Sequence, residues 1–356
     1  MFDTIIPFYL IEVNFPLSSQ PLDQSSSLRH FLDVHDVMYL VSAQCSWKDL
    51  VSMIHTNKDL REAVFFLIRT RIKMFISPFI PVDKIGKFFD LMDDSNAAIF
   101  GGVVRCIMST TSDIYRVVTP DHLDLVVPSI IGSISRFRRW IRFLATIGYK
   151  ELLSCDADED LPSCVRWSVL SNVRLLSVSH PFQPFNSLDF LSILKDSNMT
   201  LTLIESNGPN ILPVILQAPH TSSLNILTST RFYCFYPTLF ASREGIRMKH
   251  WPIRFYSPFS HFNFGLRIYR TTSIWIDAPC GDACPSLWRR TKDLPGVGLV
   301  RWGTLNGNLD LGNKTPSKSD GFEKICFLWK IDGRCINPLC PNRGREVDLF
   351  GNRGYY

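Results

Sequence analysis

From about residue 31 to 92 the apolar positions recur at helical spacing. Leu60, Ala63, Val64, Leu67, Ile68, Ile72 and Phe75 follow a period of about 3.6, which predicts one long amphipathic helix ended by Pro78 and Pro81. Ser46-Trp47-Lys48-Asp49 is a capping-box arrangement, with Asp49 where Glu is usual, so a shorter helix starts at Trp47. Thr56 or Asn57 can cap the long helix, and another short helix is expected over 82–92. Residues 1–30 read as a flexible arm that ends in the polar stretch Ser18–Ser27.

After residue 92 the pattern changes. Ala97–Phe100 is a short apolar strand that runs into Gly101-Gly102, with a helix-compatible run Val103–Met108 behind it. His122–Val127 reads as a second strand, stopped by Pro128. Over 133–147 the residues Ile134, Phe137, Ile141 and Leu144 share one helix face, and Gly148 follows as a C-terminal cap. Further strands are expected at 173–179, 200–205 and 231–236. The expected architecture is α+β: a small helical unit (31–92), a mixed β-sheet with flanking helices (93–275), and a loop-rich, cysteine-containing tail (276–356). Within that tail, 306–321 is polar and turn-rich, and 322–330 could be a strand turning at Asp332-Gly333.

The 356 residues are 46% apolar, 12% aromatic and 20% charged, which excludes a disordered, collagen-like or mucin-like chain. A net charge of +5 permits an anionic partner such as nucleic acid without demanding one. No apolar run reaches the roughly 18 residues of a membrane span, and the N-terminus lacks the basic flank of a signal peptide. Ten thinly spread cysteines fit reduced thiols in the cytoplasm or nucleus.

The sharpest constellation is Phe100-Gly101-Gly102, a helix, and then Asp121-His122-Leu123-Asp124-Leu125-Val126-Val127-Pro128, with a further helix ending at Gly148-Tyr149. It resembles the nucleotidyltransferase fold, in which strand–Gly-Gly–helix leads into a strand carrying Asp-x-Asp. It is similar in particular to a divergent group of fungal proteins that keep this frame, over roughly residues 93–240. Carboxylates at i and i+2 of a strand project to one face and can hold two divalent ions against a nucleoside triphosphate. The resemblance implies Gly101 and Gly102 beside the phosphates, Asp124 in the metal site, and Mg²⁺ as the cofactor of an active enzyme. In that family a third carboxylate from a neighbouring strand completes the metal site, and for it the strand Thr200–Glu205 offers only Glu205, at its very end.

The chain departs from that pattern at its centre. His122 stands at the first carboxylate position, and imidazole is a poor ligand for Mg²⁺. Asp121 is acidic but one residue out of register. These departures lead to the expectation of a catalytically degenerate, nucleotidyltransferase-like protein that binds a nucleotide or a protein partner. The alternative is an active metal-dependent transferase. The plainest alternative for Asp124 alone is a hydrogen-bonded structural acid.

Three further patterns carry chemistry or its bland equivalent. Cys45–Met53 with Asn57–Arg61 resembles an F-box, which implies docking onto a ubiquitin-ligase adaptor; the other reading is a helical cap packed on the sheet. Arg138, Arg139 and Arg142 could grip phosphates or could form a solvated helix face. Cys280-x₃-Cys284 and Cys335-x₄-Cys340 have the spacing of structural zinc ligands, set against a reading as unpaired buried thiols.

Overall fold

A computed structural model describes residues 41–56, 58–109, 120–129, 136–156, 170–178, 199–216, 218, 220–247 and 266–269. In the C-terminal part it describes 279–281, 284, 286, 287, 289, 290, 298–302, 328, 329, 335–341 and 343. The arm 1–30, Asn57, Ile134, the loop 306–321 and the turn Asp332-Gly333 lie outside these residues.

The helical unit forms as its pattern predicts. α1 (Trp47–Ile54) opens on the capping box: the Asp49 N–H donates to Ser46 Oγ at 3.3 Å, and the Ser46 N–H donates to Asp49 Oδ2 at 3.2 Å. α2 (Lys58–Ile76) buries Ala63, Val64, Leu67, Ile68, Ile72 and Phe75, the face read from the spacing. Arg71 of α2 is buried and donates from Nη2 to the Ala43 carbonyl at 3.0 Å, satisfying a group at the end of the helical turn 41–44. A 3₁₀ turn (Val82–Lys84) then leads into α3 (Ile85–Ser95), so the expected helix over 82–92 is present with a tighter first turn.

β1 (Ala98–Phe100), α4 (Gly102–Met108), β2 (His122–Val127), α5 (Arg136–Thr146), β3 (Lys150–Asp156), β4 (Leu170–Val178) and β5 (Met199–Ser206) follow. After them come α6 (Leu212–Ile215), β6 (Asn225–Leu227), β7 (Arg231–Cys234), α7 (Pro237–Ala241), β8 (Glu244–Ile246), β9 (Arg267–Tyr269), β10 (Arg289–Arg290), β11 (Gly298–Arg301) and β12 (Leu328–Trp329). Eight strands make one mixed sheet in the order β11-β7-β6-β1-β2-β5-β4-β3, in which β2 and β5 are the parallel neighbours. α5 ends as its glycine predicts: the Gly148 N–H donates to Ala145 O at 3.1 Å and the Tyr149 N–H to Leu144 O at 3.0 Å, with Gly148 at φ +94°.

The two faces of the sheet belong to different cores. One holds Leu123, Leu125, Val127, Leu201 and Leu203 together with Trp47, Leu50, Ile68, Phe88, Trp140 and Leu144, so α1, α2, α3 and α5 share a single core with the sheet. The other holds Ala98, Phe100, Val126, Ile204 and Ile226 with Tyr233, Tyr236 and Leu239. β2 is therefore buried at all six positions, as expected for a strand covered on both sides. The expectation of a loop-rich tail needs correcting at one place: β11 pairs with β7, and Trp302 is fully buried, its ring 5.6 Å from Phe89.

Trp47 is buried and meets Phe232 of β7 edge to face at 5.3 Å, which ties the N-terminal helices to the sheet. Trp47→Ala should destabilise the whole protein by about 3–5 kcal/mol. Denaturation followed separately by helix and sheet signals should give coincident transitions; a helix signal lost on its own would show an autonomous N-terminal unit. Leu125→Asp, which puts a charge into the same core, should leave no cooperative transition.

Candidate functional site

The antiparallel register of β1 with β2 sets Phe100 opposite Asp124, so the chain leaves β1 directly beside that carboxylate. Gly101, the next residue, has φ +78°, and a Cβ built there would lie 3.0 Å from Asp124 Oδ2. Glycine is needed here on two grounds, the left-handed backbone and the space taken by the acid. Gly102 begins α4.

The parallel register of β2 with β5 sets His122 opposite Thr200 and Asp124 opposite Thr202. Alternation along both strands therefore gathers four polar side chains on one face. His122 Nε2 lies 2.9 Å from Asp124 Oδ1 and 2.8 Å from Thr202 Oγ1, and Nδ1 lies 2.7 Å from Thr200 Oγ1. The Thr200 hydroxyl in turn donates to the Asp121 carbonyl at 3.2 Å. His122 and Asp124 are both buried.

Burial by itself pushes the His122 pKa down. The Asp124 carboxylate, through its charge and its hydrogen bond, together with the charge of Asp121, outweighs burial and holds the pKa above its usual 6.5. With the ring protonated, Nε2–H donates to Asp124 and Nδ1–H to Thr200, whose own proton goes to Asp121 O. Both ring nitrogens then have acceptors.

The structure does not bring Glu205 to this group, and its role as a third carboxylate is corrected accordingly. Its partner on β2 is Val127, three residues beyond Asp124, or about 10 Å along the strand. Alternation also puts Glu205 on the face of Leu201 and Leu203, opposite Asp124. There it accepts from Ser171 Oγ at 3.0 Å and from Asn172 Nδ2, where β4 shifts register against β5. Asp121 precedes β2, and its backbone carbonyl is held by Thr200.

The arginines are also placed elsewhere. Phe137, Trp140 and Leu144 turn α5 toward the helix-side core, so Arg138, Arg139 and Arg142 point to solvent on the layer away from Asp124. Arg139 pairs with Asp94 at 3.2 Å. Near the C-terminus, in contrast, the two cysteine pairs converge: the sulfurs of Cys280, Cys284, Cys335 and Cys340 all lie within 4.8 Å of one another.

Comparison with known proteins gives no match, whether against family models, curated sequences or solved structures. The partners of His122 that the sequence reading missed are Thr200 and Thr202. Their signal was there, in the alternation of Met199-Thr200-Leu201-Thr202-Leu203, but threonine at these spacings reads equally as ordinary strand propensity.

Because the His122 pKa is raised in the folded protein, the stability it contributes is fully present below about pH 6.5 and is lost as pH rises through the folded value. The gap in melting temperature between the wild type and His122→Gln should therefore narrow from about pH 6 to about pH 9. A gap that widened instead would mean that the ring is buried neutral. Asp124→Asn should cost about 2–3 kcal/mol, because a charged hydrogen bond in a buried site is lost; a neutral outcome in urea denaturation would make the acid a solvated remnant.

Proposed function

We propose that this chain is a catalytically degenerate, nucleotidyltransferase-like protein that works as a binding module, with the His122 imidazolium in the place of a divalent ion. The observation that carries the reading is the buried pair of His122 and Asp124 at 2.9 Å. In the working frame, a carboxylate at position 122 would join Asp124 in holding metal. Here the side chain at that position is itself the cation.

Two further features support it. The strand–glycine–helix–strand order and the closeness of Gly101 to Asp124 match the frame the sequence resembles. Glu205, the candidate third carboxylate, is held instead by Asn172 and Ser171. A single carboxylate neutralised by an imidazolium gives a two-metal reaction nothing to assemble on. For an interaction role the sheet offers its β3 edge, where a register shift between Glu151 and Leu153 leaves Leu152 and Leu153 exposed side by side. The F-box alternative is weakened because Trp47 and Leu50, within its motif, are spent in the core.

The test is nucleotide transfer and thermal shift with each nucleoside triphosphate and Mg²⁺ or Mn²⁺. The wild type should show neither transfer nor a metal-dependent rise in melting temperature. His122→Asp, which supplies the second carboxylate, should gain a metal-dependent rise, since binding to the native state stabilises it. Mg²⁺-dependent transfer by the wild type that disappears in a folded Asp124→Ala would sink the proposal.

A further inference from the structure

We propose that Cys280, Cys284, Cys335 and Cys340 form a closed structural Zn²⁺ site that ties the C-terminal segments to the sheet domain. The nearest sulfur pairs are Cys280–Cys335 at 3.5 Å and Cys284–Cys340 at 3.4 Å, and all four atoms fall within 4.8 Å. Four thiolates around one zinc, with Zn–S bonds of about 2.3 Å, stand about 3.8 Å apart at a tetrahedron's edges. The observed spacing is that of a single ion's ligand set, and all four cysteines are buried and form no disulfide.

The chain around the sulfurs is built as two turns. Gly281 takes φ +53°, and its carbonyl accepts from the Cys284 N–H at 3.2 Å. In the second turn the Cys340 N–H donates to Asn337 O at 3.2 Å, and the Leu339 N–H to Asn337 Oδ1 at 2.8 Å. Asn337 is fully buried, and its Nδ2 donates to Cys280 Sγ at 3.2 Å. A buried amide aimed at sulfur is the outer-shell contact that orients a thiolate ligand. The Cys335 N–H donates to Ser286 Oγ at 2.8 Å, which joins the two turns to each other.

Charge and packing point the same way. Four thiolates and one Zn²⁺ leave a net charge of −2, and the buried cation Arg289 lies against the cluster, donating to Cys284 O at 3.4 Å and Leu287 O at 3.2 Å. Its guanidinium also lies 4.6 Å over the ring of Tyr236, a residue of the core on the Asp124 face of the sheet. Among the described residues the cluster's apolar company is Leu287, and holding together two segments more than 50 residues apart needs further energy. A metal supplies that energy, and with four protein ligands it has no open position for catalysis.

The test starts with the wild-type full chain, purified without chelator and analysed for metals. One zinc per chain is expected, and Co²⁺ exchanged into it should give the strong absorption of a tetrahedral thiolate site. Cys335→Ser and Cys284→Ser should lose the zinc, whereas Cys106→Ser, a buried cysteine outside the cluster, should keep it. Asn337→Ala should keep zinc with affinity reduced about 10–100-fold. Since the cysteine variants can fail by misfolding, the wild type decides: no zinc, iron in its place, or an intact mass showing two disulfides would each overturn the proposal.

Discussion

A carboxylate in the middle of a sheet covered on both faces must be neutralised, and that constraint organises the centre of this protein. β2 is buried at all six positions, and Asp124 is the one acid among them. Unpaired, such a charge costs several kcal/mol, and removing one partner of a buried pair costs about 3–5 kcal/mol. The surrounding residues follow from this. Position 101 lacks a Cβ because Asp124 Oδ2 occupies that space, and β5 carries threonines at the two positions that face the histidine ring. The leucines of both strands meanwhile point to the helix-side core.

That core is why the N-terminal helices cannot be treated as a separate attachment. Trp140 of α5 packs on Phe88 of α3 at 5.2 Å and donates from Nε1 to Ser95 Oγ at 2.9 Å; Tyr149 donates from its hydroxyl to Phe79 O at 3.1 Å. These bonds cross between segments far apart in the chain. Each lets an aromatic group bury its ring while satisfying its polar atom. The helical layer and the strands it covers therefore share one core.

The parts legible in the sequence are those set by local chemistry. The capping box at Ser46, the apolar stripe of α2, the glycine that ends α5, and the strands β1, β2 and β5 each depend on residues within a turn or a strand of one another. What the sequence did not disclose depends on distant pairing. β3, β6, β8, β9, β10 and β11 fall outside the expected strands: all but β3 are short, and each is ordered by a partner elsewhere in the chain. Glu205 was misjudged for a related reason: its type and its strand were right, but parity against Asp124 appears only once β2 and β5 are set side by side. The cysteine spacing could be read, yet some 50 residues between the pairs hid their convergence.

The same electrostatic problem has two different solutions in this molecule. At Asp124 there is one carboxylate, and it holds the pKa of the His122 ring beside it above the usual value. Thr200, Thr202 and one carboxylate oxygen of Asp124 are engaged by the ring. At the cysteines four soft donors converge, and a single organic cation cannot balance four thiolates. There a dication suits the donor set of the proposed zinc site, with Arg289 beside it. Donor number and softness thus separate the two sites: one hard carboxylate faces an imidazole ring, and four soft sulfurs face one another.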